Sequence, residues 1–189
     1  MKRSDRTKAA ILVAARERFA ADGYAKATIR AIAAQADIDP SMVMRYFGSK
    51  EKLLAAAASF ELELPDLTAI RPDSWGDVLA RHLVARWERN DTLVALLRVA
   101  ATQDFAAERM RTLFAGQVAP LVARIEPDEK TAATRAGLLA TQMLGLALTR
   151  YVLELPPVVA LTTDELAAWL SPVLQHYLTG MVPGSDSKE

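Results

Sequence analysis

Hydrophobic positions recur three or four residues apart along almost the whole chain, which is the period of amphipathic α-helices. The first such stripe is Ile11, Ala14, Ala15 and Phe19. We expect this helix to end at Gly23, because glycine adopts the left-handed backbone that often follows a helix. No alternating apolar and polar run of useful length indicates a β-strand. The pattern therefore predicts an all-α fold.

Two shorter helices are predicted directly after the first. Thr28 can cap the second helix, whose apolar positions are Ile29, Ile32, Ala33 and Ala36. Asp39 is a suitable N-cap for the third helix, and Pro40 suits its first position because the N–H that proline lacks would have no partner there. The third helix, residues 41–47, begins about three residues after the second ends. Helices joined by so tight a turn cross steeply, so the sequence predicts a helix-turn-helix.

The third helix is short and has two distinct faces. Val43 and Phe47 are four residues apart and are predicted to pack against the first two helices. The side chains predicted to point mainly outward are Ser41, Met42, Arg45 and Tyr46. A helix exposing such groups fits the major groove of DNA. Ser49 can cap a fourth helix, about residues 49–64, which has Lys50 in its first turn. The backbone N–H groups of that turn and the Lys50 ammonium would face the same way and are predicted to form a phosphate clamp.

The rest of the chain predicts five further helices. They are expected over residues 74–90, 91–102, 104–124, 128–154 and 162–179. Capping residues are expected at Ser74, Asp128 and Thr162, and distortions at Gly116, Pro120 and Pro172. The last two helices are apolar on more than one stripe, which predicts burial against a second copy of the chain as well as within one subunit. The residues assigned to this interface are Gly137, Leu144, Leu148, Trp169, Val173 and Tyr177.

Charge is distributed unevenly along the 189 residues. The first 53 residues hold eleven Lys and Arg against six Asp and Glu, and the remainder holds twelve against seventeen. A basic N-terminal part indicates a polyanionic partner such as DNA. The chain has no cysteine, which excludes disulfides and a thiol nucleophile. Its apolar stretches are too short to span a bilayer, so we expect a cytoplasmic protein.

A longer segment resembles a known family. The stretch "ILVAARERFAADGYAKATIRAIAAQADIDPSMVMRYFGSKEKLL" is similar to the DNA-binding domain of the TetR (TetR/AcrR-like) family of transcriptional regulators. The matching positions are Ala14, Ala15, Phe19, Gly23, Tyr24, Thr28, Ile32, Ala33, Ala36, Phe47, Ser49, Lys50 and Leu53. Two later stretches, "QMLGLALTRYVLELPP" and "LQHYLTG", are similar to a C-terminal domain type of actinobacterial members.

The resemblance implies a homodimeric regulator, by family habit a repressor released from its operator by a small apolar effector. The expected domains are 1–53, a helix-turn-helix domain; 65–180, an effector-binding and dimerisation domain reached through the helix of about 49–64; and 181–189, a flexible tail. The residues assigned to DNA binding are Thr28, Arg30, Asp39, Ser41, Met42, Arg45, Tyr46 and Lys50. The residues assigned to an effector pocket are Phe60, Leu83, Trp87, Leu97, Phe114, Gln142 and Met143, with His82 and Gln117 as further polar anchors.

Several of these assignments leave alternatives open. Asp37 stands where the family commonly has glycine, and aspartate tolerates the left-handed backbone that the turn needs. Asp39 either caps the third helix or accepts a hydrogen bond from cytosine. Met44 and Tyr46 replace a frequent tyrosine and a frequent histidine, and Met42 and Met44 suit packing better than base contact. The pocket residues suit an ordinary core as well as a ligand.

The basic N-terminal end and the overall function also keep alternatives. Lys2, Arg3, Arg6 and Lys8 form either a disordered tail or an arm along the DNA backbone. The alternative function is an all-helical carrier, scaffold or enzyme in which DNA binding is absent or secondary. An enzyme is not expected, because the two histidines, His82 and His176, are far apart and no metal, phosphate-loop or nucleophile motif is present. No cofactor is expected either.

Overall fold

The fold is described from a computed structural model that covers residues 3–57, 62–89 and 91–182. Within these ranges the regular structure is helical and includes no β-strand, which confirms the predicted fold class. The helices are α1 (Arg3–Lys26), α2 (Ile29–Gln35), α3 (Pro40–Phe47), α4 (Lys50–Ala57), α5 (Trp75–Glu88), α6 (Asp91–Ala100), α7 (Asp104–Leu113), α8 (Ala119–Ala123), α9 (Glu129–Ala147), α10 (Pro156–Val159) and α11 (Thr163–Thr179). No helix in this part of the chain is long and apolar enough to cross a membrane.

The chain divides into two compact units. The first unit comprises Met1–Phe60 and Asn90–Arg111, and the second comprises Glu61–Arg89 and Thr112–Glu189. The sequence placed residues 90–111 with the C-terminal domain, whereas here α6 and most of α7 belong to the first unit. The first unit is therefore built from two separate segments of the chain.

The first unit has one apolar core, and α1 supplies much of it. α1 packs against α2, α4 and α6, and α3 packs against α2 and α4. The buried core residues are Ile11, Ala14, Ala15, Phe19, Ala27, Ile32, Ala33, Val43, Leu53, Leu54 and Ala57. Val99 and Phe105, from α6 and α7, pack partly buried against the same core. Gly23 interrupts α1 with φ 71°, the positive value that favoured glycine at this position.

In the second unit, α5 packs along α11 with very little space between them. The N–H of Gly76 donates to Oε1 of Gln175 at 2.7 Å. A Cβ atom on Gly76 would overlap the Ser171 carbonyl oxygen and lie 2.7 Å from the Gln175 backbone nitrogen. Only glycine permits this approach of α5 to α11. The contact explains why an otherwise unfavourable residue occupies the first turn of α5.

A partly buried arginine, Arg135, joins the start of α9 to the end of α11. The guanidinium of Arg135 donates to the Glu126 carboxylate at 3.1 Å and to the backbone carbonyls of Tyr177 at 2.6 Å and Gly180 at 2.8 Å. Its side chain is 12% exposed and that of Glu126 is 19% exposed. The cation thus satisfies carbonyls at the C-terminal end of α11 that have no partner within the helix.

Two predicted helices need correction. The fourth helix does not reach residue 64: α4 extends to Ala57, residues 58–61 lie outside the described ranges, and Leu62–Asp66 is not helical. Glu63 has φ 51°, which ends any helix there. Ser74 does not cap α5 through its side chain, because it is the last residue of a 3₁₀ turn, Pro72–Ser74, and itself has helical backbone angles.

Other local predictions are confirmed. Asp128 accepts from the Thr131 N–H at 2.8 Å, and Thr162 and Glu165 form a complete capping box. The predicted distortion near Gly116 is a π-helical turn, Phe114–Val118, between α7 and α8. A second π-helical turn, Leu148–Val152, and α10 follow α9, and neither was predicted. Of the predicted tail, 183–189 lies outside the described residues.

Candidate nucleic-acid interface

The turn between α2 and α3 has the geometry of a helix-turn-helix. α2 ends at Gln35 and α3 begins at Pro40. Asp37 takes the left-handed backbone with φ 53°, as predicted for an aspartate in a position where glycine is common. Its N–H donates to the Ala34 carbonyl at 3.2 Å. The chain reverses direction within four residues and delivers α3 beside α2.

Side-chain caps fix the starts of both helices. Thr28 accepts from the Ala31 N–H at 3.1 Å. Asp39 accepts from the Ser41 N–H at 2.8 Å, which confirms the capping interpretation of this carboxylate. The hydrogen bond from Ser41 lowers the pKa of Asp39 below its usual value. Both capping residues and Arg30, in the first turn of α2, are exposed.

The outward face of α3 differs from the predicted one. Ser41 and Arg45 are exposed as predicted, but the third exposed residue on that side is Met44, with 44% exposure. We call Ser41, Met44 and Arg45 the outer stripe of α3. Met42 is half-buried, and Tyr46 is half-buried and packs against the core of the first unit. The prediction that Met42 and Tyr46 point mainly outward is wrong, and so is the assignment of Met44 to packing.

The start of α4 carries a cluster around Lys50. The Lys52 N–H donates to Oγ of Ser49 at 3.2 Å, so the predicted cap of α4 is confirmed. The Lys50 ammonium lies 4.4 Å from the centre of the Tyr24 ring and donates to the Ala25 carbonyl at 3.3 Å. Contact with the ring and the carbonyl holds this cation beside the first turn of the helix.

A hydrogen bond fixes the ring on which Lys50 rests. The Tyr24 hydroxyl donates to Oε1 of Glu51 at 2.6 Å. Burial and this bond raise the pKa of Tyr24 to about 12. The same bond lowers the pKa of Glu51. Glu51 was not assigned a role from the sequence, because nothing in its local spacing indicates a partner 27 residues earlier in the chain.

The described basic residues at the N-terminal end are helical rather than a disordered tail. α1 begins at Arg3 and includes Arg6 and Lys8, whereas Lys2 lies outside the described residues. The Lys8 ammonium is 5.6 Å from the centre of the Tyr46 ring. This contact brings the first turns of α1 next to α3 and adds a cation to its flank.

The residues assigned to an effector pocket are distributed over both units. In the second unit, Leu83, Trp87 and Met143 are buried, and Phe114 and Gln142 are half-buried. Leu97 is half-buried in the first unit. Phe60 lies outside the described residues. Gln142 lines a cavity of about 380 Å³ between α9, α10 and α11. Two of the assigned polar anchors bind the backbone of Leu62. Nε2 of His82 lies 2.8 Å from the Leu62 carbonyl oxygen, and the Leu62 N–H donates to Oε1 of Gln117 at 2.6 Å.

The residues assigned to a dimer interface lie on the outer sides of α9 and α11. Trp169 is 74% and Leu148 39% exposed. Half-buried positions on the same helices are Gly137, Leu144, Val173 and Tyr177. The opposite sides of α9 and α11 are buried within the unit, through residues such as Leu139 and Leu174. Each helix therefore has a second apolar surface that its own unit leaves uncovered.

A helix-turn-helix with an exposed polar stripe and basic flanks is the architecture of a DNA-binding protein. Comparisons with known proteins agree with this class. The sequence model described as "Bacterial regulatory proteins, tetR family" matches residues 11–57, and that described as "Tetracyclin repressor-like, C-terminal domain" matches residues 73–178. The chain belongs to the TetR family of DNA-binding transcriptional regulators. Repression, dimerisation and release of DNA on effector binding are typical of this family.

Solved structures of similar fold include other regulators. A TetR-family regulator from Streptomyces coelicolor A3 shares 29% identity with a TM-score of 0.56, over 92% of this chain and 95% of that one. A transcriptional regulator from Rhodococcus sp. Rha1 shares 22% identity with a TM-score of 0.64, over 96% and 100%. The multidrug binding protein EbrR, complexed with imidazole, shares 21% identity with a TM-score of 0.66, over 98% of each chain. No curated protein sequence matches the chain significantly.

Proposed function

We propose that this regulator is a homodimeric repressor that binds a twofold-symmetric operator through α3 and leaves it when a small apolar effector binds. The observation that carries the proposal is the outer stripe of α3, exposed at the end of a capped helix-turn-helix in a chain of this family. In such proteins each of two α3 helices would enter one of two major grooves about 34 Å apart. The protein would act in the cytoplasm, where its operator lies.

The DNA-binding residues divide by the group that each would contact. Ser41 and Arg45 face outward and have the donors that base edges accept, and arginine pairs with guanine in two bonds. Thr28 and Arg30, at the exposed start of α2, are placed for phosphates. Asp39 would support the interface by capping α3, and Tyr46 by seating the helix on the core. Met42, which is half-buried, would line the side of the interface.

Lys50 would bind a phosphate from a prearranged position. Its ammonium has three N–H donors, and the Ala25 carbonyl accepts one of them. The Tyr24 ring restricts the side chain, and Glu51 restricts the ring. A side chain ordered before binding loses less conformational entropy on contact with DNA. The cluster therefore favours Lys50 over a freely mobile surface lysine as the phosphate contact.

Dimerisation would use the uncovered apolar surfaces of α9 and α11. A tryptophan that is 74% exposed, in line with Val173 and Tyr177 at four-residue spacing, suits a helix packed against a second copy. Two helices from each subunit would form a four-helix interface. Twofold symmetry of the protein would then match twofold symmetry of the operator.

The effector would bind in the second unit. Leu83, Trp87, Phe114 and Met143 would supply apolar and aromatic walls, and Gln142 a polar anchor. The structural relative EbrR is a multidrug binding protein and was solved with imidazole, which supports a ligand of modest size. The ligand would favour a conformation of the dimer in which the two α3 helices no longer match successive grooves.

The proposal is tested by binding to the DNA upstream of the protein's own coding sequence, against scrambled DNA, across a salt series. We expect a strong preference for the upstream sequence and a steep salt dependence. Lys50→Ala should reduce the slope of log K against log salt by about two, one for each subunit. Lys130→Ala, an exposed lysine of α9, is the matched control and should leave the slope unchanged. Absence of any sequence preference in a folded wild-type dimer, both here and among randomised duplexes, would refute the proposal.

A further inference from the structure

The outer stripe of α3 contains one apolar side chain between two polar ones. Ser41, Met44 and Arg45 are spaced i, i+3 and i+4, so they lie together on one side of the helix. Met44 is 44% exposed. A single exposed apolar residue is ordinary on a protein surface. This one, however, lies on the same side of α3 as the exposed Ser41 and Arg45, the side that the helix presents outward.

Met44 has no part in the core of the first unit. That core includes Val43, and the partly buried residues packed against it include Tyr46 and Phe47 but not Met44. Met42 is two residues earlier, about 200° around the helix, and is half-buried. The two methionines therefore lie on nearly opposite sides of α3, and Met44 is the more exposed of the two. Met44, on the same side as Ser41 and Arg45, is the one placed to reach a partner of α3.

The chemistry of the methionine side chain restricts what it can recognise in DNA. It carries no N–H or O–H donor, and its flexible thioether chain adapts to irregular apolar surfaces. In the major groove thymine is the one base with an apolar group, its C5 methyl, and apolar side chains are those that contact it. A phosphate or a guanine edge offers nothing that this side chain can satisfy, and its sulfur is too weak an acceptor to select an adenine or cytosine amine.

We infer that Met44 recognises a thymine of the operator by packing against its C5 methyl group. The inference rests on the proposed function, in which α3 lies in the major groove. Met44 and Arg45 are neighbours, with Cα atoms about 3.8 Å apart, and successive base pairs are about 3.4 Å apart. The thymine therefore lies within about two base pairs of the base that Arg45 contacts.

The test removes the methyl group alone. The preferred site of the full-length protein is first selected from randomised duplex DNA, and each thymine in it is then replaced singly by uracil, which differs only in lacking that methyl. For the wild type we expect one thymine in each half-site at which uracil weakens binding about threefold to fourfold. For Met44→Ala we expect weaker binding to the thymine site by a similar factor and no effect of uracil at that position.

Met181→Ala is the matched control, since it makes the same change at an exposed methionine of the second unit, outside the DNA-binding residues. It should keep the uracil effect of the wild type. A selected site without thymine near the Arg45 contact, or an unchanged uracil profile in Met44→Ala, would overturn the inference and leave the proposed function intact. Failure of the folded wild type to select any sequence would instead reject the proposed function and the inference with it.

Discussion

Removal of Arg135 should destabilise the second unit more than removal of any exposed arginine. Its guanidinium, 12% exposed, serves the Glu126 carboxylate and two carbonyls at the end of α11. Breaking a buried ion pair costs about 3–5 kcal/mol, because the remaining charge stays buried without its partner. Glu126 is 19% exposed and also accepts from the Asp128 N–H, so part of that cost is offset. We expect Arg135→Ala to lower the free energy of unfolding by about 3 kcal/mol.

Urea unfolding followed by tryptophan fluorescence measures this effect in the correct part of the chain. The three tryptophans, Trp75, Trp87 and Trp169, all belong to the second unit. Far-UV circular dichroism reports on both units, so a difference between the two signals shows which unit unfolds first. Protein concentration is held constant because a dimer's apparent stability depends on it.

Two further variants make the magnitude interpretable. Arg135→Lys keeps the charge but lacks the planar fork that serves several acceptors, so its loss should be intermediate. Arg81→Ala also removes an arginine paired with two carboxylates, Asp77 and Asp164, but these pairs are solvent-exposed and their loss should change little. If Arg135→Ala were no less stable than Arg81→Ala, the argument from burial would be refuted.

Three other predictions address separate contacts. The pKa of Tyr24 is raised to about 12 from 10.0, so its protonated phenol contributes stability that is complete below pH 10 and is lost as the pH rises through 12. Between pH 9 and pH 11.5, the melting temperature of Tyr24→Phe should therefore fall by less than that of the wild type. An equal fall in both proteins would contradict this prediction. Gly76→Ala should lower the free energy of unfolding in urea by about 2 kcal/mol, because its Cβ would overlap α11. Gly145→Ala, with open space around the residue, should raise it by about 0.5–1 kcal/mol. Equal effects of the two substitutions would show that the close approach of α5 to α11 is absent. Trp169→Asp should shift the sedimentation equilibrium toward monomer, and an unaltered dimer would exclude the α11 surface from the interface.

Sequence reasoning succeeded where the interaction is local. The caps at Thr28, Asp39, Ser49, Asp128 and Thr162 each join a side chain to an N–H two or three residues later. Spacing along the chain predicts such bonds, except at Ser74, where a preceding 3₁₀ turn gives the residue helical backbone angles and no cap forms. The left-handed backbone of Asp37 follows from the same kind of argument.

It failed where distant segments decide the outcome. Whether Met42 or Met44 faces outward depends on how α2 and α4 seat the eight residues of α3, and eight residues contain too few apolar positions to define a face. The pairing of Tyr24 with Glu51 spans 27 residues, and that of Gly76 with Gln175 spans 99. Such contacts leave no periodic signal in the sequence.

The two-segment construction of the first unit has a consequence for chimeric regulators. Residues of α6 and α7 complete its core: Val99 packs against it, and the ring of Phe105 lies 5.8 Å from that of Tyr24. A graft that carried only residues 1–60 onto another member of the family would leave behind this part of the core and expose apolar surface on the transplanted fragment. Exchange of operator specificity between relatives by recombination therefore requires three crossovers, one after residue 60 and one on each side of residues 90–111, whereas replacement of side chains on the outer stripe of α3 requires none.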